Sequence, residues 1–196
     1  MNLLQLQSTI RTIHSWRRFF TRLLLLLGCL FFLGIPSALA GVNDDRYEGN
    51  VFVLYGGNAS LVPAKVKLEQ SIKREDKATV LVFYLDDCRD CKQYAPVISR
   101  LQAFYSRATD IIPVSVDSIQ PKSTYAPTEV GYYYKDIVPQ IVVFNQAGEV
   151  VLNKKGQVPY EQLDDTLREV FNLLPRSESV ELKRRPVNEF SSELAK

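Results

Sequence analysis

The chain has few of the residues that perform acid–base chemistry at neutral pH or hold metal ions. Its 196 residues include one histidine, one tryptophan, one methionine and three cysteines. Four of these six lie within the first 40 residues: Met1, His14, Trp16 and Cys29. Without that stretch only Cys88 and Cys91 remain, so histidine-based acid–base catalysis, a Ser-His-Asp triad and histidine-ligated metal sites are excluded.

Residues 1–40 have the three parts of an export signal. Basic residues without any acid come first (Arg11, Arg17, Arg18 and Arg22), an apolar run follows over 23–35, and small residues at 38–40 precede Gly41. We predict a signal peptide over 1–40. An uncleaved anchor is the alternative, because 23–40 is an uncharged stretch of 18 residues. The paired arginines also permit twin-arginine export.

Removal of the signal changes the sign of the net charge. The whole chain carries 24 basic and 22 acidic side chains, and four of the basic ones lie in the signal, which leaves 156 residues with 20 basic and 22 acidic side chains. The resulting net charge of −2 gives no indication of a nucleic-acid partner. The length predicts one domain over 41–175, followed by a charged tail over 176–196.

Hydrophobic patterning predicts an alternation of strands and helices. The expected strands are 51–55, 79–85, 111–116, 140–144 and 149–153, and the expected helices are 61–72, 88–107 and 160–174, with a long loop over 117–136. A βαβ unit implies a parallel strand pair, and the last two strands form an antiparallel hairpin. The order therefore predicts an α/β domain with a central mixed sheet flanked by helices.

Cys88 and Cys91 stand where the buried strand 79–85 ends and a helix begins. A helix N-terminus stabilises a thiolate, because its unpaired N–H groups and its dipole point at the sulfur. We expect Cys88 to be the nucleophile and Cys91, one turn further on, to be the resolving thiol. Arg89 favours the thiolate, whereas the neighbouring carboxylates, Asp87 and Asp90 among them, oppose it. We assign these three residues and Lys92 a modulating role.

Two further features accompany the cysteine pair. Lys92 and Pro96 complete the pattern Cys-Lys-x-x-Ala-Pro, and Val138-Pro139 precedes the strand 140–144. A cis proline that faces the cysteines would leave a backbone edge for an extended substrate peptide, so we assign Val138 and Pro139 to substrate binding. An ordinary trans proline at the start of a strand is the alternative.

Metal binding and a purely structural disulfide are the other readings of the cysteine pair. Tetrahedral zinc needs more side-chain ligands than the cysteine pair supplies, so we predict neither a metal nor a cofactor. A structural disulfide suits an exported protein, but a loop this short gives it little entropic stabilisation. The tyrosines at 132–134 fit either a docking surface or a cover over the core.

The segment from Cys88 to Pro96, the strand before it and Val138-Pro139 resemble the thioredoxin superfamily. The resemblance implies a thioredoxin-like fold. Thioredoxins commonly carry a tryptophan directly before the first cysteine and a buried acid six positions before it, and here those positions hold Asp87 and Val82. General thioredoxin-type reduction therefore lacks its usual proton-transfer group.

A narrower resemblance covers most of the chain after the signal. The segments 44–47, 60–63, 83–94, 113–118, 131–134, 174–179 and 185–190 resemble the cyanobacterial thylakoid membrane photosystem I accumulation factor family. The resemblance implies association with the thylakoid membrane on its lumenal side, with the periplasm as the alternative location. It also implies protein clients among photosystem I subunits or their biogenesis factors.

Two functions fit these observations. In the first, the protein supports photosystem I accumulation by thiol–disulfide exchange with clients through Cys88 and Cys91. In the second, it is a non-catalytic assembly factor that holds a client on the thioredoxin scaffold, and the cysteines have no redox role.

Overall fold

The computed structural model describes residues 16, 18–29 and 41–179. Residues 18–29 are helical, and no helix among the described residues is long and apolar enough to cross a membrane. Two compact units divide the chain, 1–40 and 41–196. Most of the predicted signal peptide and of the predicted tail lies outside the described residues, so both stay predictions.

A mixed sheet of four strands forms the centre of the second unit. Its strands are β1 (Ala78–Tyr84), β2 (Thr109–Ser115), β3 (Gln140–Phe144) and β4 (Val150–Lys155). Their spatial order is β2-β1-β3-β4, with β1 and β2 parallel and β3 antiparallel to both β1 and β4. The predicted mixed sheet is confirmed.

Strand β1 is the central strand because both of its faces are covered. All seven of its residues are buried. Val80 and Val82 pack into one core cluster, whereas Leu81 and Phe83 pack into a second cluster on the opposite face. This alternation follows from the two-residue period of a strand. Pro113 lies in β2, at the edge of the sheet, where a missing N–H is tolerated.

Four helices flank the sheet: α1 (Val51–Leu54), α2 (Leu68–Ser71), α3 (Arg89–Tyr105) and α4 (Tyr160–Val170). Ile98 and Leu101 of α3 pack with Leu163 and Leu167 of α4 in the first cluster, whereas Leu68 of α2 belongs to the second. The apolar side chains of α3 and α4 therefore cover one face of the sheet. Cys91 belongs to the same cluster, and Cys88 packs against it.

The predicted strand 51–55 is wrong, because residues 51–54 form helix α1. The Asn50 side chain caps this helix by accepting a hydrogen bond from Phe52 N at 3.1 Å. Val51 N donates to Asp86 Oδ1 at 2.9 Å, and the Phe52 ring packs edge-on against Tyr84 at 4.9 Å between centroids. Contacts with the end of β1 thus decide the local conformation.

The predicted helices 61–72 and 160–174 are shorter in the structure. A 3₁₀ turn over Ala59–Leu61 is followed by extended Val62, because a residue before proline disfavours the helical region, and α2 begins only at Leu68. Helix α4 ends at Val170, and Asn172 adopts a left-handed φ of 51°, which is typical of a helix terminus.

Candidate functional site

Cys88 is the N-cap residue of α3, as its position at the strand–helix junction predicts. Its backbone is extended (φ −86°, ψ 116°), and its Sγ accepts a hydrogen bond from Cys91 N at 3.1 Å. Cys88 is half-buried and Cys91 is only 2 % exposed, and both are free thiols. One thiol is therefore open to a partner, and the other lies beneath it.

The two thiols have opposite pKa shifts. A hydrogen bond from the Cys91 thiol lowers the pKa of Cys88, the backbone N–H of Cys91 adds to this effect, and partial burial and Asp90 oppose it. The same hydrogen bond, together with burial, raises the pKa of Cys91 far above its ordinary value. The pair is arranged so that Cys88 ionises first and Cys91 keeps its proton.

We expect Cys88 to react with iodoacetamide several-fold faster at pH 7 in the wild type than in Cys91→Ala. The rate of alkylation rises with pH as the thiolate forms. Loss of the hydrogen bond from Cys91 moves that rise to higher pH, because the bond stabilises the thiolate.

The matched control for alkylation is Cys88→Ser, in which buried Cys91 should stay unreacted at neutral pH. The pH–rate profile, read by mass spectrometry of the alkylated peptide, is the measurement. Identical profiles for the wild type and Cys91→Ala would contradict the assigned hydrogen bond.

Val138 and Pro139 lie at the end of the sheet where β1 leads into the cysteine pair. Val138 packs against the same core cluster as Cys88 and Cys91. Gln140 pairs with Phe83 near the end of β1, which places the residues just before β3 next to the strand–helix junction. The Val138–Pro139 bond is cis. The structure thus brings together the residues that the sequence assigns to catalysis and to substrate binding.

The charged residues around Cys88 differ in their contacts. The guanidinium of Arg89 pairs with the Asp90 carboxylate at 3.4 Å. Asp87 is exposed. Val82, at the position of the usual buried acid, is 1 % exposed and belongs to the same apolar cluster as Cys91. The position of the usual buried acid is therefore apolar in this chain.

Lys92 has a role that the sequence did not reveal. Its side chain is 0 % exposed, and its Nζ donates to Gly41 O at 3.2 Å, Asp44 Oδ1 at 3.1 Å and Arg46 O at 2.7 Å. Burial alone lowers the pKa of Lys92, but the hydrogen bond to Asp44 and the nearby charges raise it on balance. The ammonium is thus held by residues 41–48, which we call the N-terminal arm.

A second contact joins the N-terminal arm to the start of α3. Asp45 Oδ1 accepts a hydrogen bond from Arg89 N at 2.8 Å. This N–H is one of the unpaired donors at the first turn of α3, directly after Cys88. The sequence gives no sign of these contacts, because the N-terminal arm lies more than 40 positions before Arg89 and Lys92.

The tyrosine segment, residues 132–134, is held to the sheet by the buried Gln140. Gln140 Nε2 donates to Tyr133 O at 2.7 Å and to Asn153 Oδ1 at 2.9 Å, and Gln140 Oε1 accepts from Lys135 N at 2.8 Å. Tyr133 and Tyr134 pack against the second core cluster, whereas Tyr132 is exposed. Two of the three tyrosines therefore cover the core.

Comparisons with known proteins give a family match and two similar proteins. The family described as "Thioredoxin-like domain" matches residues 65–171. The "Thylakoid membrane protein slr1796" of Synechocystis sp. is 51% identical over 158 residues, which cover 81% of this chain and 78% of that protein. A mutant thioredoxin from Halobacterium salinarum NRC-1 aligns with a TM-score of 0.44 and 22% identity, over 57% of this chain and 91% of that one. This chain, with its dithiol at the strand–helix junction, belongs to the thioredoxin-like domain family.

Proposed function

We propose that the protein exchanges disulfides with client proteins at the thylakoid membrane and thereby supports the accumulation of photosystem I. The observation that carries this proposal is the asymmetry of the dithiol. Cys88 is accessible and has a lowered pKa, whereas Cys91 is buried and donates its hydrogen bond to Cys88. A nucleophile with a protected resolving thiol behind it is what stepwise exchange requires.

The exchange proceeds through a mixed disulfide. The Cys88 thiolate attacks one sulfur of a client disulfide, the client S–S bond breaks, and the released client thiolate takes up a proton. Cys91 then loses its proton and attacks Cys88 Sγ, which breaks the mixed disulfide and frees the second client thiol. The client gains two electrons and two protons, and Cys88 and Cys91 become the disulfide. The same steps in reverse oxidise a client dithiol.

Val138 and Pro139 are the proposed docking edge for the client. They precede β3 beside the end of β1, at the same junction as Cys88. An extended peptide that lies along this edge would bring its own cysteine to the exposed thiol.

The proposed location is the lumenal side of the thylakoid membrane. The relative from Synechocystis sp. is named as a thylakoid membrane protein. The predicted signal over 1–40 supports export, and an oxidising compartment suits a functional cysteine pair. The periplasm is the alternative destination of the same signal.

A non-catalytic assembly factor is the second candidate function. The observation that favours it is Val82, since the buried position below Cys91 has no carboxylate to accept or return the proton of the resolving thiol. In that case the scaffold, the exposed Tyr132 and the tail 176–196 hold photosystem I subunits or their biogenesis factors without exchange.

The decisive experiment removes both thiols. We expect a cyanobacterial strain that carries Cys88→Ser together with Cys91→Ser to accumulate less photosystem I than the parent, measured by low-temperature chlorophyll fluorescence and by immunoblotting of photosystem I subunits. Cys29→Ser is the matched control, because Cys29 lies in the predicted signal, and it should leave the level unchanged.

A normal photosystem I level in the double mutant would overturn the exchange mechanism in favour of the second candidate. The second candidate then requires that Tyr132→Ala or deletion of 176–196 lowers the level. If these changes also leave the level normal, the second candidate is contradicted as well.

A further inference from the structure

Glu48 holds the beginning of the N-terminal arm. Gly41 N donates a hydrogen bond to Glu48 Oε1 at 2.9 Å, and the other carboxylate oxygen accepts from the Tyr55 hydroxyl. Gly41 O accepts from Lys92 Nζ and from Asp44 N, at 3.2 and 3.3 Å. The first residue of the arm is therefore bonded through both of its backbone polar groups.

Position 41 has room only for glycine in this arrangement. A Cβ at Gly41 would overlap the Asp44 carboxylate, which is itself held by Lys92 Nζ at 3.1 Å and by Arg46 at 3.0 Å. A larger residue would therefore displace Asp44 from its two cations. The folded arm is the reason for glycine at position 41. The signal cleavage site is not, because it demands small residues only before the cut.

The two carboxylates around Gly41 differ in their ion pairs. Asp44 pairs with Lys92 and Arg46. Glu48 has no lysine or arginine within ion-pair distance among the residues that the structure describes; its hydrogen-bond donors there are Tyr55 and Gly41. The Lys92 ammonium lowers the pKa of Glu48 by its charge but forms no ion pair with it. A positive charge at Gly41 N, 2.9 Å from Glu48 Oε1, would form a direct ion pair.

We infer that Glu48 is the binding site for the α-ammonium group of Gly41, which forms when a signal peptidase cuts the predicted signal after Ala40. Hydrolysis adds one water across the Ala40–Gly41 peptide bond. The C–N bond breaks, a carboxylate remains on Ala40, and the nitrogen of Gly41 becomes an ammonium. The hydrogen bond to Glu48 thereby becomes a charge-assisted one, and such bonds are roughly twice as strong as neutral ones.

Cleavage would then strengthen the attachment of the N-terminal arm to α3, the helix that begins at the cysteine pair. The same short segment carries Asp44, which binds Lys92, and Asp45, which accepts from Arg89 N next to Cys88. In the uncut chain the hydrogen bond from Gly41 N to Glu48 is that of a neutral amide. The inference depends on the predicted cleavage site and is independent of redox activity.

The test uses residues 41–196, a compact unit of its own, released from a fusion so that Gly41 is the first residue. At pH 7.5 we expect an amine-acylating reagent to modify Gly41 about fivefold more slowly in the wild type than in Glu48→Gln, because the ion pair protects the ammonium. Mass spectrometry of the N-terminal peptide separates this reaction from that of the lysines. Glu75→Gln, which removes an exposed carboxylate, should behave like the wild type.

Acetylation of the Gly41 nitrogen gives a second measurement that does not depend on reagent access. It should lower the melting temperature of the wild type by about 1–2 °C and leave that of Glu48→Gln unchanged. Equal acylation rates in the wild type and Glu48→Gln, or equal effects of acetylation on both, would overturn the inference. The double cysteine mutant should give the wild-type results, so failure here is distinguishable from failure of the exchange function.

Discussion

Replacement of Cys91 with serine is expected to leave client proteins covalently attached to Cys88. Cys88 can still attack a client disulfide, because its half-buried sulfur lies at the N-terminus of α3. The serine hydroxyl cannot attack the mixed disulfide, so the intermediate that Cys91 normally resolves accumulates. Membranes from a strain that expresses Cys91→Ser, quenched with acid and separated without reductant, should contain adducts of the protein that disappear on reduction.

The matched variant for this trap is Cys88→Ser. Its Cys91 thiol is only 2 % exposed, and burial disfavours the thiolate, so it should form no adducts. Cys29→Ser combined with Cys91→Ser should trap as many clients as Cys91→Ser alone. Equal adduct levels in Cys88→Ser and Cys91→Ser would contradict the assignment of Cys88 as the nucleophile.

Truncation of Leu101 is expected to cause a large loss in the free energy of unfolding. Leu101 lies in α3 with 0 % exposure and packs in the core cluster that also contains Leu163, Leu167 and Cys91. Leu101→Ala removes buried methyl groups and leaves a cavity, which costs about 2–5 kcal/mol in the free energy of unfolding. Urea unfolding of residues 41–196, followed by circular dichroism, measures this change.

Leu174→Ala is the matched control for the core, because the same atoms are removed from a side chain that is 61% exposed. It should change the free energy of unfolding by no more than about 0.5 kcal/mol. Similar losses in Leu101→Ala and Leu174→Ala would show that the packing of α3 on α4 contributes less than its burial indicates.

The sequence predicted the elements whose own residues decide their structure. Strand β1 is a continuous apolar run, and α3 has its apolar residues at helical spacing after an N-cap cysteine, so each was found within a few residues of its ends. The position of Cys88 at their junction followed directly. Pairing of β1 with β3 then brought Val138 and Pro139 to that junction, as the fold class implies.

The sequence could not predict elements that depend on distant partners. Val51 is helical because Asn50 caps it and Asp86, 35 positions away, accepts its N–H. The apolar run 51–55, rich in β-branched and aromatic residues, on its own favours a strand. The sequence alone places Lys92 in the pattern Cys-Lys-x-x-Ala-Pro and nothing more. The carbonyls that bury its ammonium come from Gly41 and Arg46, more than 40 positions earlier.

The edges of the sheet limit the route by which an extended polypeptide can join it. Pro113 removes an N–H donor from the middle of edge strand β2, and the opposite edge strand ends in the exposed Lys154 and Lys155. The missing donor and the charged lysines both discourage edge-to-edge pairing, through which β-sheet proteins aggregate. The sheet should therefore resist self-association even at high protein concentration. An incoming segment is left with the end of the sheet where the thiols lie.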